Sequence, residues 1–279
     1  MKVRDVMTAD PKYIEVPSTR QIGLMLFQKY GVSGMPVLKE GTRNVVGFVT
    51  LNDFAKNPDE EQVAMIMQRD FPTVGPDDDL STACETMLDR DVRHLPVVFE
   101  GMLAGIVTVK DILSRAVLQM EIDKTISDVF IDRVTALWEE TPLPAAYAIM
   151  DASKSRTCPV IDVEGNVVGV VSDMDILRSA EIKETTTMDM LTTETEGDQW
   201  SLEGKNLLYV VSKNLVFPED KKVRDLMGKE VSVSRRTPVK RCARLMIDKN
   251  LREVPVISPE GKLLGTVRDI DLLKALLSG

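Results

Sequence analysis

The stretch "GFVTLND", residues 47–53, decides the fold, because the chain contains it four times in varied form. Each copy begins with glycine, continues with two mostly aliphatic residues and a Thr, Ser or Arg, and ends with aspartate. Each also follows a Pro-Val run at a nearly constant distance, which is the mark of an internal repeat. The other copies are "GIVTVKD" (105–111), "GVVSDMD" (169–175) and "GTVRDID" (265–271).

Each repeat is predicted to fold as strand, helix, strand, strand, helix. The Pro-Val run and the glycine-led run are short and β-branched and flank a Glu-Gly turn, so they indicate two paired strands. Apolar residues at three- and four-residue spacing predict a helix on each side of this pair, with caps at Ser18 in the first copy and Thr237 in the last. A unit of about 60 residues buries too little surface to fold well alone, so we expect the repeats to pair.

The spacing of the repeats also predicts the domain boundaries. We expect repeat one at 1–58, repeat two at 59–120, repeat three at 121–182, an insertion at 183–219 and repeat four at 220–279. Within the insertion, "LLYVVSKNLVF" (207–217) has two apolar runs around a polar centre, which predicts a short hairpin.

Composition narrows the classes of function. The 279-residue chain carries a formal net charge of −9, which opposes binding to nucleic acid and to anionic lipid. No apolar run reaches the ~18 residues that span a membrane, and the first residues lack a signal peptide's apolar stretch. We therefore expect a cytoplasmic protein with no membrane partner, whose three separate cysteines are reduced core residues.

Catalysis is not indicated by the sequence. The chain has one histidine, no phosphate-binding P-loop and no cluster of metal ligands. The repeated aspartates occur one per repeat rather than as an acid and base pair. We expect a non-catalytic protein that requires no cofactor.

The glycine-led motif has the chemistry to bind a nucleotide. Its Thr or Ser would lie at the start of a helix, where free N–H groups and the helix dipole favour a phosphate. The aspartate three residues later would repel a phosphate but accept hydrogen bonds from ribose hydroxyls, and Gly47 would let the strand approach the ligand closely. In the alternative interpretation, Thr50 and Asp53 form only a capping box that stabilises the helix.

The candidate site residues follow from the four copies of the motif. The expected ribose ligands are Asp53, Asp111, Asp175 and Asp271. The expected phosphate ligands at the helix start are Thr50, Thr108, Ser172 and Arg268. Arg268 has two interpretations, since it either pairs with a neighbouring aspartate, Asp269 or Asp271, or binds the phosphate of a ligand.

These motifs resemble those of CBS domains, and the resemblance covers nearly all of the chain outside the insertion. The segments "VRDVM" (3–7) and "VRDLM" (223–227) also resemble the family's lead-in. The resemblance implies an α/β fold of four β-α-β-β-α units, paired one with two and three with four into two Bateman-type modules that form a disc, within one chain or by dimerisation. Chains with four such units resemble the gamma subunit of AMP-activated protein kinase, a sensor of adenine nucleotides.

The resemblance also implies the ligands and their cations. It suggests AMP, ADP, ATP, S-adenosylmethionine or methylthioadenosine in clefts between paired units, and it places basic phosphate ligands just before the Pro-Val run. Here these are Arg93 and His94 in repeat two, Arg156 in repeat three and Arg252 in repeat four. The family often has the order His-Arg, whereas repeat two has Arg-His and repeat one has the uncharged pair Ser33 and Gly34.

We therefore expect a regulatory protein in which an adenosine-containing ligand shifts an arrangement of the modules. A protein partner or a second copy of the chain would respond to that arrangement. The alternative is an interaction scaffold with vestigial pockets, whose insertion docks the partner. Nucleic-acid binding is the least favoured function because the chain is acidic.

Overall fold

The computed structural model describes residues 1–191, 206–218, 220–229 and 231–277. The chain divides into two compact units. The first is formed by Met1–Asp132, Ser232–Pro259 and Leu264–Gly279, and the second by Arg133–Val231 and Glu260–Leu263. Repeats one and two and most of repeat four thus belong to the first unit, and most of repeat three to the second.

Repeat one has the predicted order of elements. They are β1 (Ile14–Val16), α1 (Arg20–Tyr30), β2 (Gly34–Lys39), β3 (Val45–Thr50) and α2 (Leu51–Lys56). Strand β1 is parallel to β2, which is antiparallel to β3. The cap of α1 is Thr19, whose hydroxyl accepts a hydrogen bond from the backbone N–H of Ile22 at 3.4 Å, so the predicted cap at Ser18 is wrong by one residue.

Repeat two follows the same plan with a shorter sheet. Its elements are α3 (Val63–Ile66), α4 (Leu80–Asp89), β4 (His94–Phe99), β5 (Met102–Thr108) and α5 (Val109–Ile112), which continues as a π-helix over Leu113–Val117. In repeat two, a parallel bridge between Val74 and Val97 takes the place that strand β1 has in repeat one.

Most of repeat three and the insertion lie in the second unit. The repeat consists of β6 (Leu137–Trp138), α6 (Leu143–Ala152), β7 (Thr157–Ile161), β8 (Val167–Ser172) and α7 (Asp173–Arg178). Two long antiparallel strands follow, β9 (Glu181–Leu191) and β10 (Asn206–Val216). The predicted hairpin within 207–217 is therefore wrong, because these residues lie almost entirely on β10. Its "SKN" centre lacks the glycine that a tight hairpin turn favours and pairs with Lys183, Glu184 and Thr185.

Repeat four completes the fold. Its elements are β11 (Gly228–Lys229), β12 (Val233–Ser234), α8 (Val239–Asp248), β13 (Glu253–Ile257), β14 (Leu263–Arg268), a 3-10 helix over Asp269–Leu273 and α9 (Lys274–Leu277). The cap of α8 is Pro238 rather than the predicted Thr237, whose hydroxyl instead accepts a hydrogen bond from the backbone N–H of Ser234 at 3.1 Å.

Each repeat begins with a short helical turn that we call its lead-in, at residues 3–8, 63–68, 126–131 and 223–228. Each lead-in pairs with the glycine-led strand of the other repeat in its pair. The bridging residues are Thr8 with Ile106, Gln68 with Phe48, Ile131 with Thr266, and Gly228 with Val170. This exchange confirms the predicted pairing of repeat one with two and of three with four.

The exchange explains the first glycine of every motif. A Cβ atom at Gly47 would lie 2.5 Å from Sδ of Met67, and one at Gly265 would lie 2.1 Å from the carbonyl oxygen of Ile131. Both distances are far inside normal contact; the Met67 side chain could move aside, but the Ile131 backbone could not, so the requirement for glycine is strictest at Gly265. The space that we expected a ligand to use at Gly47 is filled by Met67.

The prediction that the three cysteines are core residues is confirmed, since Cys84, Cys158 and Cys242 are all buried. Burial raises the pKa of the Cys84 and Cys242 thiols to about 12. Separately, none of the helices in the described residues is both long enough and apolar enough to cross a membrane.

Candidate functional site

The hydroxyl residue of the motif ends a strand and caps the next helix. The Thr50 hydroxyl donates to Oδ2 of Asp53 at 2.6 Å and accepts a hydrogen bond from the Asp53 backbone N–H at 3.3 Å. The same capping box forms between Thr108 and Asp111 and between Ser172 and Asp175. The capping boxes therefore form in all three pairs, and they fix the orientation of each carboxylate.

The first and third backbone N–H groups at each of these helix starts already donate hydrogen bonds. The first N–H of each helix donates to the carbonyl of the residue that precedes the Pro-Val strand, as Asp173 does to Arg156 at 2.9 Å. In repeat three the second N–H, that of Met174, donates to the Asp173 carboxylate at 2.7 Å, and the third donates to Ser172. The helix start therefore gives no geometric support to the expected phosphate contact in this repeat.

The second oxygen of each motif carboxylate, which we call the outer oxygen, distinguishes the four repeats. The outer oxygen of Asp53 accepts a hydrogen bond from the Gln68 amide at 2.7 Å. That of Asp111 lies 3.5 Å from the Thr8 hydroxyl and 3.6 Å from a guanidinium nitrogen of Arg115. That of Asp175 receives no hydrogen bond from a described residue and is only partly buried.

The last residue of each lead-in accounts for this difference. These residues are Thr8, Gln68, Ile131 and Gly228, which face the motifs of repeats two, one, four and three respectively. The Gln68 side chain is long enough to bind its carboxylate, and that of Thr8 makes only a long contact. Gly228 has no side chain. No motif in the sequence singled out these residues, although aligning the four lead-ins brings them to one position.

Asp271 does not fit its expected role as a ribose ligand. Its side chain is 1% exposed, and Nε of Arg268 lies 2.9 Å from one oxygen while Nζ of Lys274 lies 3.1 Å from the other. Both oxygens are thus held by cations. Arg268 also contacts Asp91 at 3.1 Å. The hydrogen bond to Asp271 raises the pKa of Arg268 above its usual value. The structure therefore agrees with the interpretation that Arg268 pairs with a neighbouring aspartate.

The cations expected before the Pro-Val strands have different environments. Arg93 donates two hydrogen bonds to the Asp269 carboxylate. His94 lies 3.1 Å from the Ser33 hydroxyl, and burial together with the charges of Arg93 and Arg252 lowers its pKa to about 4, so it is neutral at pH 7. Arg156, by contrast, is exposed and forms no ion pair with a described residue.

Repeat three therefore brings together a fixed carboxylate and an exposed cation. Thr157, which follows Arg156, pairs with Ser172 across β7 and β8. Arg156 and Asp175 thus lie at the same end of this strand pair.

The class of protein follows from these four repeats. The CBS domain model matches residues 3–60, 63–117, 126–181 and 223–278. These matches cover most of the chain, which therefore belongs to the CBS-domain family.

Two relatives match nearly the whole of this chain. The uncharacterized protein MJ1404 of Methanocaldococcus jannaschii is 26% identical over 278 residues, which cover 97% of this chain but 59% of that protein. This chain thus spans less than two thirds of the length of that relative. The crystal structure of an uncharacterized conserved protein from Pyrococcus horikoshii has a TM-score of 0.71 at 28% identity and covers 99% of this chain and 100% of that one.

The fold is also similar to that of protein MJ1225 from Methanocaldococcus jannaschii, which has been proposed as an archaeal homologue of γ-AMPK. The TM-score is 0.71 at 18% identity, with 99% of this chain and 100% of that chain covered.

Proposed function

We propose that this chain is a non-catalytic regulatory protein that binds an adenosine-containing ligand, with repeat three as its leading candidate site. The observation that carries the proposal is the outer oxygen of Asp175, which Gly228 leaves accessible on the strand pair that also carries Arg156. The adenosine part of the ligand is supported by membership of the CBS-domain family.

The ribose would bind to Asp175. One oxygen of this carboxylate is held by the Ser172 hydroxyl at 2.6 Å and the Ser172 backbone N–H at 3.0 Å. The other oxygen is oriented in advance and able to accept hydrogen bonds from a sugar hydroxyl, and hydrogen bonds to a charged acceptor are among the stronger ones. A fixed acceptor needs little reordering when the ligand arrives.

The charge of the pocket limits the ligand. Arg156 offers one cation for a phosphate, while Asp173 and Asp175 supply two negative charges at the same helix. This balance favours AMP or an S-adenosyl compound such as S-adenosylmethionine or methylthioadenosine over ADP and ATP, which would bring more negative charge than one arginine neutralises.

The other repeats rank below repeat three. The outer oxygen of Asp111 has only long contacts, so repeat two is the second candidate pocket. A ligand in repeat one must displace Gln68 from Asp53. We omit Asp271 from the proposed ribose ligands because cations hold both of its oxygens.

Ligand binding would regulate a partner rather than a reaction in this chain. The long ribbon of β9 and β10, eleven residues in each strand, is the element that departs most from the repeats. This ribbon is the candidate docking element for a protein partner, and it equally supports the second function, an interaction scaffold. A variant that lacks residues 183–219 tests this assignment. If it still binds the ligand but no longer binds the partner, the ribbon serves docking and the repeats serve ligand binding.

Isothermal titration tests the ligand proposal. AMP, ADP, ATP, S-adenosylmethionine and methylthioadenosine would be titrated into the wild type, Asp175→Asn and the control Asp128→Asn. Asp128 forms the same kind of capping box with Thr125 outside the strand pairs. We expect Asp175→Asn to weaken the best ligand at least tenfold while the control matches the wild type. A folded wild type that binds none of these compounds would overturn the proposal.

A further inference from the structure

Two reciprocal ion pairs join repeats two and four within the first compact unit. Arg93 of repeat two contacts Asp269 of repeat four through both guanidinium Nη atoms. In return, Arg268 of repeat four contacts Asp91 of repeat two at 3.1 Å. Each repeat therefore gives one arginine and receives one carboxylate.

Asp269 occupies an unusual position for a carboxylate. It is the first residue after the strand, where repeats one and two have the apolar residues Leu51 and Val109. Its side chain is only 7% exposed, although buried carboxylates are costly unless a cation pairs with them. Oδ1 also accepts a hydrogen bond from the backbone N–H of Ile270 at 2.8 Å, which orients the group towards Arg93.

Repeat three provides the comparison for this position. Its equivalent residue, Asp173, accepts the same hydrogen bond from the next N–H, at 2.7 Å, but is more exposed and forms no ion pair with a described residue. The buried contact with arginine is thus particular to Asp269.

The charges around Asp269 are already balanced. The cations are Arg93, Arg252, Arg268 and Lys274, and the acids are Asp91, Glu253, Asp269 and Asp271. Burial raises the pKa of Glu253, and the negative charges of Asp271 and Asp269 add to the rise. An incoming phosphate would therefore meet an environment whose cations are already neutralised.

We propose that Asp269 is an internal anion that occupies Arg93 in place of a phosphate group, so that Arg93 does not bind the phosphate of a ligand. Asp269 is thus a specificity-determining residue. The choice between phosphorylated and unphosphorylated ligands rests on the proposed function, whereas the occupation of Arg93 does not. Removal of the Asp269 charge converts Arg93 into an anion-binding site.

Titration with inorganic pyrophosphate at low salt tests this proposal, because pyrophosphate has neither ribose nor adenine and does not depend on Asp175. We expect Asp269→Asn to bind pyrophosphate at least tenfold more tightly than the wild type, and the double variant R93Q/D269N to lose the gain. The control Asp91→Asn should match the wild type, since Arg268 keeps its contact with Asp271. An Asp269→Asn protein that is folded but shows no gain would overturn the proposal.

A charge swap keeps the proposal testable where Asp269→Asn fails to fold. The variants Arg93→Asp and Asp269→Arg each place like charges together, whereas R93D/D269R restores an opposite pair in reversed order. We expect the swap to unfold at a higher temperature than either single variant. A swap no more stable than the singles would show that Asp269 does not act as the counter-charge of Arg93.

Discussion

Nε2 of Gln68 donates a hydrogen bond to Oδ1 of Asp53 at 2.7 Å, which joins the lead-in of repeat two to the motif of repeat one. The equivalent pair in repeat three is Gly228 and Asp175, where the outer oxygen accepts no hydrogen bond from a described residue. One position in the lead-in therefore distinguishes an occupied carboxylate from an accessible one, although the motifs themselves are nearly identical.

Replacement of Gln68 by alanine should open the pocket of repeat one. The free energy of unfolding should fall by about 1–2 kcal/mol, because a largely buried carboxylate loses one hydrogen-bond partner. Titration with AMP should then detect one more binding site than in the wild type. The control Gln28→Ala changes an exposed residue of α1 and should alter neither quantity. An unchanged number of sites in Gln68→Ala would contradict this prediction.

Asp271 and Asp175 should separate folding from binding. Asp271→Ala removes a buried carboxylate and its hydrogen bonds to Arg268 and Lys274, two partly exposed cations that water can then solvate, so we expect a loss of about 2–3 kcal/mol. Asp175→Ala loses mainly the interactions of a helix start, at about 1 kcal/mol. Urea unfolding measures both values. Equal losses in the two variants would mean that the contacts of Asp271 do not stabilise the fold as described.

His94 should make the fold sensitive to mild acid. Its pKa is about 4 in the folded protein and about 6.5 in the unfolded chain, so the folded state binds fewer protons in between. Stability therefore falls as the pH drops below about 6.5, by about 2 kcal/mol at pH 5.

Urea unfolding of the wild type and of His94→Asn at pH 7.5 and pH 5 isolates this contribution, since the carboxylates titrate alike in both proteins. The variant should lose less stability than the wild type between these two pH values. Identical losses would show that His94 is not the responsible group.

The thiols of Cys84 and Cys242 should be inert in the folded protein. Burial holds the pKa of both near 12, so almost no thiolate is present at pH 8. Alkylation with iodoacetamide, followed by mass spectrometry, should modify both cysteines in urea and neither in buffer. Rapid labelling of either residue in buffer would show that its environment opens readily.

Local patterns predicted the plan of each repeat, and the resemblance to CBS domains implied which repeats pair. The Pro-Val run, the Glu-Gly turn and the glycine-led run indicate the strand pair. The helix caps at Ser18 and Thr237 were each wrong by one residue, because neighbouring residues at both helix starts suit a cap and the backbone conformation decides between them.

The site was only partly predictable because its selectivity depends on contacts between repeats. The sequence indicated which aspartates could face a ligand, but the partners of their outer oxygens lie 15 residues away for Gln68 and 103 residues away for Thr8. Likewise, the pairing of Arg93 with Asp269 joins residues 176 positions apart. A single repeat carries no information about these contacts.

The affinity of Gly228→Gln for AMP and S-adenosylmethionine, measured by isothermal titration against the wild type, tests the central claim most directly. The backbone has room for a side chain here, since a Cβ atom at Gly228 would meet its nearest neighbour at 3.7 Å. The glutamine would place at Asp175 the amide that Gln68 places at Asp53. We predict that the wild type binds at least one of the two compounds and that the folded variant binds it at least tenfold more weakly. Equal affinity in the two proteins would contradict the assignment of Asp175 as the ribose ligand.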